Sequence, residues 1–229
     1  MASKKADQHD NLQDIESALT KTEQFFEDNQ TKIIYGVGII ILLVVGYLAF
    51  TRFYVRPHGK EAQSQMFMAE KYFEKDSFNL ALNGDGNYLG FLDIIDDYSI
   101  TREAKLAHYY AGISYLHLKQ YKEAIDNLNH FKTKNIILGP VSQGAKGDAY
   151  LELGDQNKAL SQYEKAISLS DNEMTAPIYL MKAGKLSETM NKPEKALEFY
   201  TKIKEKYPDT TEGRLIDKYI ARVNTLLKK

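Results

Sequence analysis

Residues 33–50 form an apolar run, IIYGVGIIILLVVGYLAF, that carries no charged side chain over 18 positions. A helix of this length rises roughly 27 Å, close to the thickness of a bilayer core. A helix buried in a soluble core is the alternative, but the central leucines and valines are apolar on every face. No small-residue cleavage site follows the run. The pattern therefore predicts an uncleaved anchor, with the transmembrane helix at residues 33–54.

The polar arm before this run, residues 1–32, has its own periodicity. Its apolar or small positions are spaced alternately by three and four: Leu12, Ile15, Leu19, Thr22 and Phe26. This spacing predicts a short amphipathic helix with a narrow apolar stripe. The helix either docks on a partner or the membrane surface, or merely leads into the anchor, and the sequence leaves both interpretations open.

Beyond residue 60, small residues recur at a fixed period. A glycine is followed by an alanine twelve positions later, and both sets are spaced by 35 and then 37. The pairs are Gly112 with Ala124, Gly147 with Ala159, and Gly184 with Ala196. A period near 34 is typical of tetratricopeptide repeats, in which antiparallel helix pairs stack into a solenoid. We expect the small residues to let the paired helices approach closely, and Tyr115, Tyr150, Tyr163 and Tyr200 to fill the gaps between layers.

The repeat pattern extends in a weaker form to both sides. Ala69 and Ala81 keep the spacing of twelve, and the extra residues before the next unit fall in NGDGNYLG, residues 83–90. Apolar residues at helical spacing in residues 211–229 predict a capping helix. The expected fold is all-α: one N-terminal transmembrane helix, then a tetratricopeptide-repeat α-solenoid over residues 60–210, then the cap.

The first helix of each pair lines the concave face in proteins of this fold. Mapped onto this chain, the pattern places these candidate partner-binding residues there: Tyr109, Ile113, Leu116, Asp148, Leu151, Met181, Lys185 and Glu188. The mixture of apolar and charged groups suits a helix or an extended segment of another protein. Gly144, Asp148 and Ile113 occupy the positions at which co-chaperones hold a C-terminal carboxylate with lysine and asparagine, which argues against that mode.

Composition excludes several functions. The formal net charge of −1, from 30 basic and 31 acidic residues, gives no attraction to nucleic acid. The absence of cysteine excludes disulfides, thiolate metal sites and cysteine nucleophiles. No phosphate-binding loop or serine elbow is present. We therefore predict no catalysis and no cofactor, although an enzyme with an unrecognised site is a rival hypothesis.

Metal binding is tested by one loop. Asn83, Asp85 and Asn87 alternate like calcium ligands, but Tyr88 and Ile94 stand where the calcium-loop rule needs glycine and glutamate. The five histidines are scattered, without the spacing of a zinc pair. The interpretation is a turn insertion and no metal site.

The whole chain resembles the YfgM-like family of bacterial envelope proteins. The likeness rests on the polar arm, the single apolar helix, the degenerate repeats, and the stretch KYFEKDSFNLALNGDGNYLGFLDIIDDYS, which looks like the form found in Bacteroidota. Members of that family are ancillary subunits of the SecYEG translocon, paired with the membrane-anchored chaperone PpiD. The resemblance implies the translocon, such a chaperone, or emerging chains as partners.

The side of the membrane is indicated by two conflicting signals. Near the anchor, Arg52, Arg56 and Lys60 outnumber Lys21 and Lys32, which favours a cytoplasmic repeat domain. The family resemblance implies the reverse: an inner-membrane protein with a cytoplasmic N-terminus and a periplasmic repeat domain. We adopt the latter, since long domains translocate largely regardless of flanking charge. A scaffold of another envelope secretion or assembly complex remains the alternative function.

Overall fold

The computed structural model describes the backbone of residues 3–169 and 171–228, and the side chains of residues 24, 25, 27–169 and 171–228. The chain divides into two compact units, residues up to 57 and residues from 58 onward. All elements of the described backbone are helical, and the predicted all-α fold is confirmed. We describe each unit by itself.

The N-terminal unit is dominated by α1, which runs from Ser3 to Phe50 and is followed by a π-helical turn, Thr51–Val55. Every large apolar side chain from Ile34 to Phe50 is at least 50% exposed. One helical stretch of the described residues is long and apolar enough to cross a bilayer, and it contains this segment. The arm residues Leu12, Ile15, Leu19, Thr22 and Phe26 belong to α1, but their side chains lie outside the described set.

The C-terminal unit is a series of helices joined by short connections. Their bounds are α2 Arg56–Glu74, α3 Phe78–Asn83, α4 Phe91–Asp97, α5 Arg102–His117, α6 Tyr121–His130, α7 Leu138–Glu152, α8 Gln156–Leu169, α9 Ala176–Thr189, α10 Pro193–Lys206 and α11 Thr211–Leu227. The pairs α5–α6, α7–α8 and α9–α10 form three successive hairpins. The six repeat glycines and alanines are all buried in them.

Each hairpin turns at one residue with left-handed backbone geometry. Lys119, Gly154 and Asn191 have φ of 62°, 82° and 54°, and their spacing of 35 and 37 repeats that of the glycines. Asp76, between α2 and α3, has φ of 55° and gives the degenerate first unit the same turn. Left-handed geometry ends a helix abruptly and lets the chain reverse. Lysine is strained in this geometry because it has a β-carbon.

The repeat glycines are recesses for side chains of the second helix. A methyl group added at Gly147 would lie 2.5 Å from Cε1 of Tyr163, and one at Gly112 would lie 2.5 Å from Cγ of Leu128. Gly184 meets Tyr200 in the same way. The closest approach is thus between glycine and a large buried side chain 16 residues later. The glycines and alanines were expected to form this close contact and the tyrosines to fill gaps between layers, but Tyr163 and Tyr200 lie in the glycine recesses of their own hairpins.

The first unit departs from a plain hairpin at its second helix. Ala69 in α2 and Ala81 in α3 are both fully buried, but α3 stops at Asn83 and the chain resumes a helix only at Phe91. The intervening loop is held by Asp85. One of its oxygens accepts the backbone N–H groups of Asn87 and Tyr88, each at 2.9 Å, and the other accepts the Tyr72 hydroxyl at 2.8 Å.

This hydrogen bonding explains the calcium-like pattern in the loop. The bond from Tyr72, followed by the two backbone bonds, lowers the pKa of the Asp85 carboxyl. The Asn83 amide donates to the Asn79 carbonyl of its own helix at 3.0 Å. The carboxylate therefore acts as a local cap that shapes the turn, and the alternating polar residues have a structural role.

Candidate partner-binding face

The first helices of successive layers are brought together by direct side-chain contacts. Lys182 in α9 binds Asp148 in α7, and Arg222 in α11 binds Glu188 in α9. These contacts place α7, α9 and α11 side by side, and α5 packs against α7. Residues at equivalent repeat positions on them consequently form rows across the stack.

Two rows contain most of the predicted partner-binding residues. Ile113, Asp148 and Lys185 directly follow the three repeat glycines, and Leu116, Leu151 and Glu188 come four positions after them. Leu151 is 38% exposed and Lys185 is exposed, while Ile113 and Leu116 are partly exposed. These residues present surface to solvent on one side of the stack.

Two of the predicted residues lie deeper. Met181 is only 7% exposed and belongs to the C-terminal hydrophobic core, so its side chain has almost no surface to offer a partner. Tyr109 is partly buried, and its ring packs against Tyr110 and Phe131 with centroid separations of 5.6 and 5.1 Å. Burial raises the pKa of the Tyr109 hydroxyl, which stays protonated and able to donate a hydrogen bond.

The junction between the second and third hairpins has a four-residue arrangement. Asp148 accepts the Tyr163 hydroxyl at 2.7 Å and both of its oxygens lie 2.7 Å from Nζ of Lys182. The same ammonium group lies 5.8 and 5.9 Å from the ring centroids of Tyr163 and Tyr179. Burial, followed by the charge of Asp148, raises the pKa of the Tyr163 hydroxyl far above its usual range.

The junction between the third hairpin and α11 repeats this arrangement with different residues. Glu188 accepts the Tyr200 hydroxyl at 2.5 Å and is held by Nε and Nη2 of Arg222 at 2.9 and 2.6 Å. Cζ of Arg222 lies 4.9 Å from the ring centroid of Tyr219. The hydrogen bond to Glu188 is the main cause that raises the pKa of the Arg222 guanidinium. Burial and then Glu188 raise that of Tyr200.

The two junctions share one design. In each, an acid on a first helix accepts a hydrogen bond from the tyrosine hydroxyl of its own second helix and pairs with a cation of the next layer, 34 residues later. In each, an aromatic ring three residues before the cation lies beneath it: Tyr179 for Lys182 and Tyr219 for Arg222. The tyrosines remain protonated hydrogen-bond donors, so the arrangement joins neighbouring layers.

Lys182, Lys218, Tyr219 and Arg222 were not among the partner-binding residues predicted from the sequence. Two features of the sequence could have indicated most of them. A basic residue follows Asp148 and Glu188 by 34 positions, and a tyrosine precedes each of these basic residues by three positions. Lys146 was missed as well. Burial, and then the charge of Lys165, lowers the pKa of its ammonium group, which donates to the Asn129 side chain at 3.2 Å.

Comparison with protein families agrees with this geometry. Models of the tetratricopeptide repeat match residues 142–173 in one form, and residues 106–135 and 179–210 in another. Each match covers one of the three hairpins. This chain carries tetratricopeptide repeats. Repeats of this kind form scaffolds for protein–protein interaction and are typically non-catalytic.

The similar proteins and structures indicate the fold and do not indicate a specific function. A TPR repeat-containing protein of Methanocaldococcus jannaschii is 26% identical over 145 residues, which are 61% of this chain. The chain spans about a quarter of the length of that relative. Two crystal structures of a Podosopora anserina protein of the kinesin light chain type, with nearly identical TPR-like repeats, superpose with a TM-score of 0.56. They cover 73% of this chain and 87% of theirs at 13% identity, which shows the fold alone.

Proposed function

We propose that this tetratricopeptide-repeat protein is a membrane-anchored scaffold that binds other proteins along the face formed by α5, α7 and α9. The observation that carries the proposal is the pair of rows on these helices. They leave Leu116, Leu151 and Lys185 available to solvent while the residues beneath them are locked between layers. Such a surface offers apolar anchors within a polar frame, as protein-binding faces do.

Anchoring is supported by the exposed apolar segment of α1. Apolar side chains that are half or more exposed over residues 34–50 are unfavourable in water and favourable in hydrocarbon. An anchor would hold the repeats near a membrane partner and raise their effective concentration there. Resistance to extraction by alkaline carbonate tests this. Release of the full chain into the soluble fraction would refute the anchor and leave the binding face untouched.

The finer proposal rests on the resemblance to the YfgM-like family. In it, this chain is an ancillary subunit of the Sec translocon that works with a PpiD-like chaperone on emerging proteins. The protein sits in the bacterial inner membrane, with its N-terminus in the cytoplasm and its repeats in the periplasm.

A photo-crosslinking amino acid at Leu151, in native membranes, tests the binding face and the partner together. We expect capture of translocon subunits, a membrane-anchored chaperone or nascent envelope proteins, and much weaker capture from position 198, which is exposed on the second helix α10. Capture of a different envelope assembly would replace the translocon with that complex. Equal capture from both positions would refute the binding face.

Sidedness has a direct test because the chain contains no cysteine. The variants Ser3→Cys and Asn224→Cys each carry one thiol, and Asn224 is exposed near the end of α11. A membrane-impermeant maleimide should label position 224 in intact spheroplasts and position 3 only after permeabilisation. The opposite labelling would place the repeats in the cytoplasm and rule out the periplasmic chaperone.

A further inference from the structure

We infer that the partner segment is apolar at one end and acidic at the other, and that its acidic end is bound by a cationic cluster of Lys185, Lys218 and Arg222. This inference rests on the proposed function and names the chemistry of the partner. It depends on how charge is distributed among the residues around Tyr219.

Three cations surround the Tyr219 ring. Nζ of Lys185 lies 5.4 Å from the ring centroid, Nζ of Lys218 lies 5.0 Å from it, and Cζ of Arg222 lies 4.9 Å from it. They come from α9 and α11, so the cluster exists only where these two helices lie together. A tyrosine ring attracts cations to its faces, and this holds the three groups near one another despite their mutual repulsion.

The acidic side chain beside this cluster, Glu188, already has a partner. Glu188 has a side chain that is 13% exposed, and its carboxylate is bound in bidentate fashion by Arg222 and by the Tyr200 hydroxyl. Among the described residues, neither Lys185 nor Lys218 makes an ion pair with a carboxylate. The cluster therefore keeps about two uncompensated positive charges on the surface, although the whole chain has a net charge of −1.

The same rows are apolar in the earlier layers except at Asp148. Ile113 and Leu116 of α5 and Leu151 of α7 occupy the positions that are charged in α9. Asp148, the acid in the middle layer, is neutralised by Lys182 at 2.7 Å. The face thus changes from apolar in the first hairpin to cationic beside α11.

A polypeptide segment matches this surface when its large apolar side chains lie over α5 and α7 and its carboxylates reach α9 and α11. Charge complementarity of this kind fixes the direction of the bound segment, because a reversed segment would place carboxylates on leucines and leave the lysines without partners. Interior aspartate or glutamate side chains suffice, and a free C-terminus is not required.

Binding of two synthetic peptides to the full chain in detergent micelles tests the inference. One fluorescent peptide carries four leucines followed by four glutamates, and its matched control carries four glutamines in place of the glutamates. We expect the acidic peptide to bind roughly tenfold more tightly at low salt, since exposed ion pairs contribute modestly and several are made here. Its advantage should shrink as salt rises.

Charge reversal then locates the effect. The double variant Lys185→Glu and Lys218→Glu should abolish the preference for the acidic peptide. The control variant Lys122→Glu and Lys202→Glu, which changes exposed lysines of the second helices α6 and α10, should retain it. Circular dichroism melts of all variants verify that the helices remain intact. Equal binding of both peptides, or equal loss in both variants, would overturn the inference.

Two further outcomes separate this inference from neighbouring ideas. Displacement of the acidic peptide by phosphatidylglycerol vesicles, but not by phosphatidylcholine vesicles, would assign the cluster to lipid headgroups and overturn it. Undiminished crosslinking at position 151 in the Lys185→Glu and Lys218→Glu variant would refute the acidic partner while leaving the scaffold function intact. Loss of all specific crosslinking in the unsubstituted protein would instead refute the scaffold function.

Discussion

Asp148 and Lys182 lie 34 positions apart in the sequence, and both oxygens of the carboxylate lie 2.7 Å from the lysine Nζ. The pair joins α7 to α9. Glu188 and Arg222 have the same separation and join α9 to α11. These two ion pairs between layers thus follow the repeat period.

The two pairs should differ in their contribution to stability. We expect Glu188→Ala to lower the free energy of unfolding by about 2 kcal/mol, because it removes a bidentate ion pair and leaves the buried Tyr200 hydroxyl without its acceptor. Asp148→Ala also removes an acceptor, that of the Tyr163 hydroxyl. It should nevertheless cost less, about 1 kcal/mol, because the Asp148 side chain is 33% exposed and that of Glu188 only 13%, so that water more readily replaces the lost contacts of Asp148. Urea unfolding of the two variants in detergent measures the difference. Equal losses of unfolding free energy in the two variants would contradict the predicted difference between the two pairs.

The glycine recess is tested within a single helix. We expect Gly147→Ala to destabilise the protein by about 1–3 kcal/mol, because the added methyl group overlaps the ring of Tyr163. Gly139→Ala, also in α7, is the matched control. Its nearest neighbour would be 3.8 Å away, so alanine there should be neutral or stabilise the helix by up to about 1 kcal/mol. The temperature of thermal unfolding should fall for Gly147→Ala and should stay unchanged or rise for Gly139→Ala. A fall for both variants would contradict the recess.

The hairpin turns predict a gain of stability. Lys119 has φ of 62°, and Lys119→Gly should stabilise the protein by about 0.5–1 kcal/mol, because glycine adopts left-handed geometry without strain. Gly154→Ala places a β-carbon at φ of 82° and should cost about 1 kcal/mol, even though no atom lies within 4 Å of the added group. Calorimetry in detergent distinguishes these changes. A loss on Lys119→Gly would count against the turn geometry.

A pH dependence follows from Tyr207. Burial and a hydrogen bond to Asp171 raise the pKa of its hydroxyl to about 12, above the value of about 10 for an unfolded tyrosine. The unfolded chain releases this proton first, so stability present below pH 10 is lost as the pH rises towards 12. Tyr207→Phe should make that loss shallower by up to one proton. The slope of unfolding free energy against pH measures it, and an unchanged slope would contradict the raised pKa.

The large-scale pattern was accessible from the sequence. Small residues at Gly112, Gly147 and Gly184 predicted the helix pairs, because close packing of paired helices restricts those positions to small residues. The apolar run at 33–50 predicted a transmembrane helix, because no single buried face could hold it, and the structure has a helix with exposed apolar side chains there. Both features depend on residue type and spacing alone.

The candidate partner-binding face was harder to predict from the sequence, because its residues act in pairs across layers. Met181 reads as a surface position in the repeat pattern, but the core absorbs it because the layer continues into α11. Glu188 reads as a free acid, but Arg222 covers it. Asp85 was assigned to a turn insertion, but the groups that bind its carboxylate, two N–H groups of its own loop and the Tyr72 hydroxyl, were not predicted. Each outcome depends on a partner whose position is set by tertiary structure.

The direction of the ion pairs between layers has a consequence for synthesis. In both, the acid belongs to the earlier layer and the cation to the later one. When the chain is synthesised from its N-terminus, Asp148 and Glu188 therefore lack their counter-ions until 34 more residues have been added. The second and third hairpins are thus completed by the elements that follow them, so a ribosome or a membrane pore that releases the chain slowly would expose the unfinished edge of the stack at these two layers.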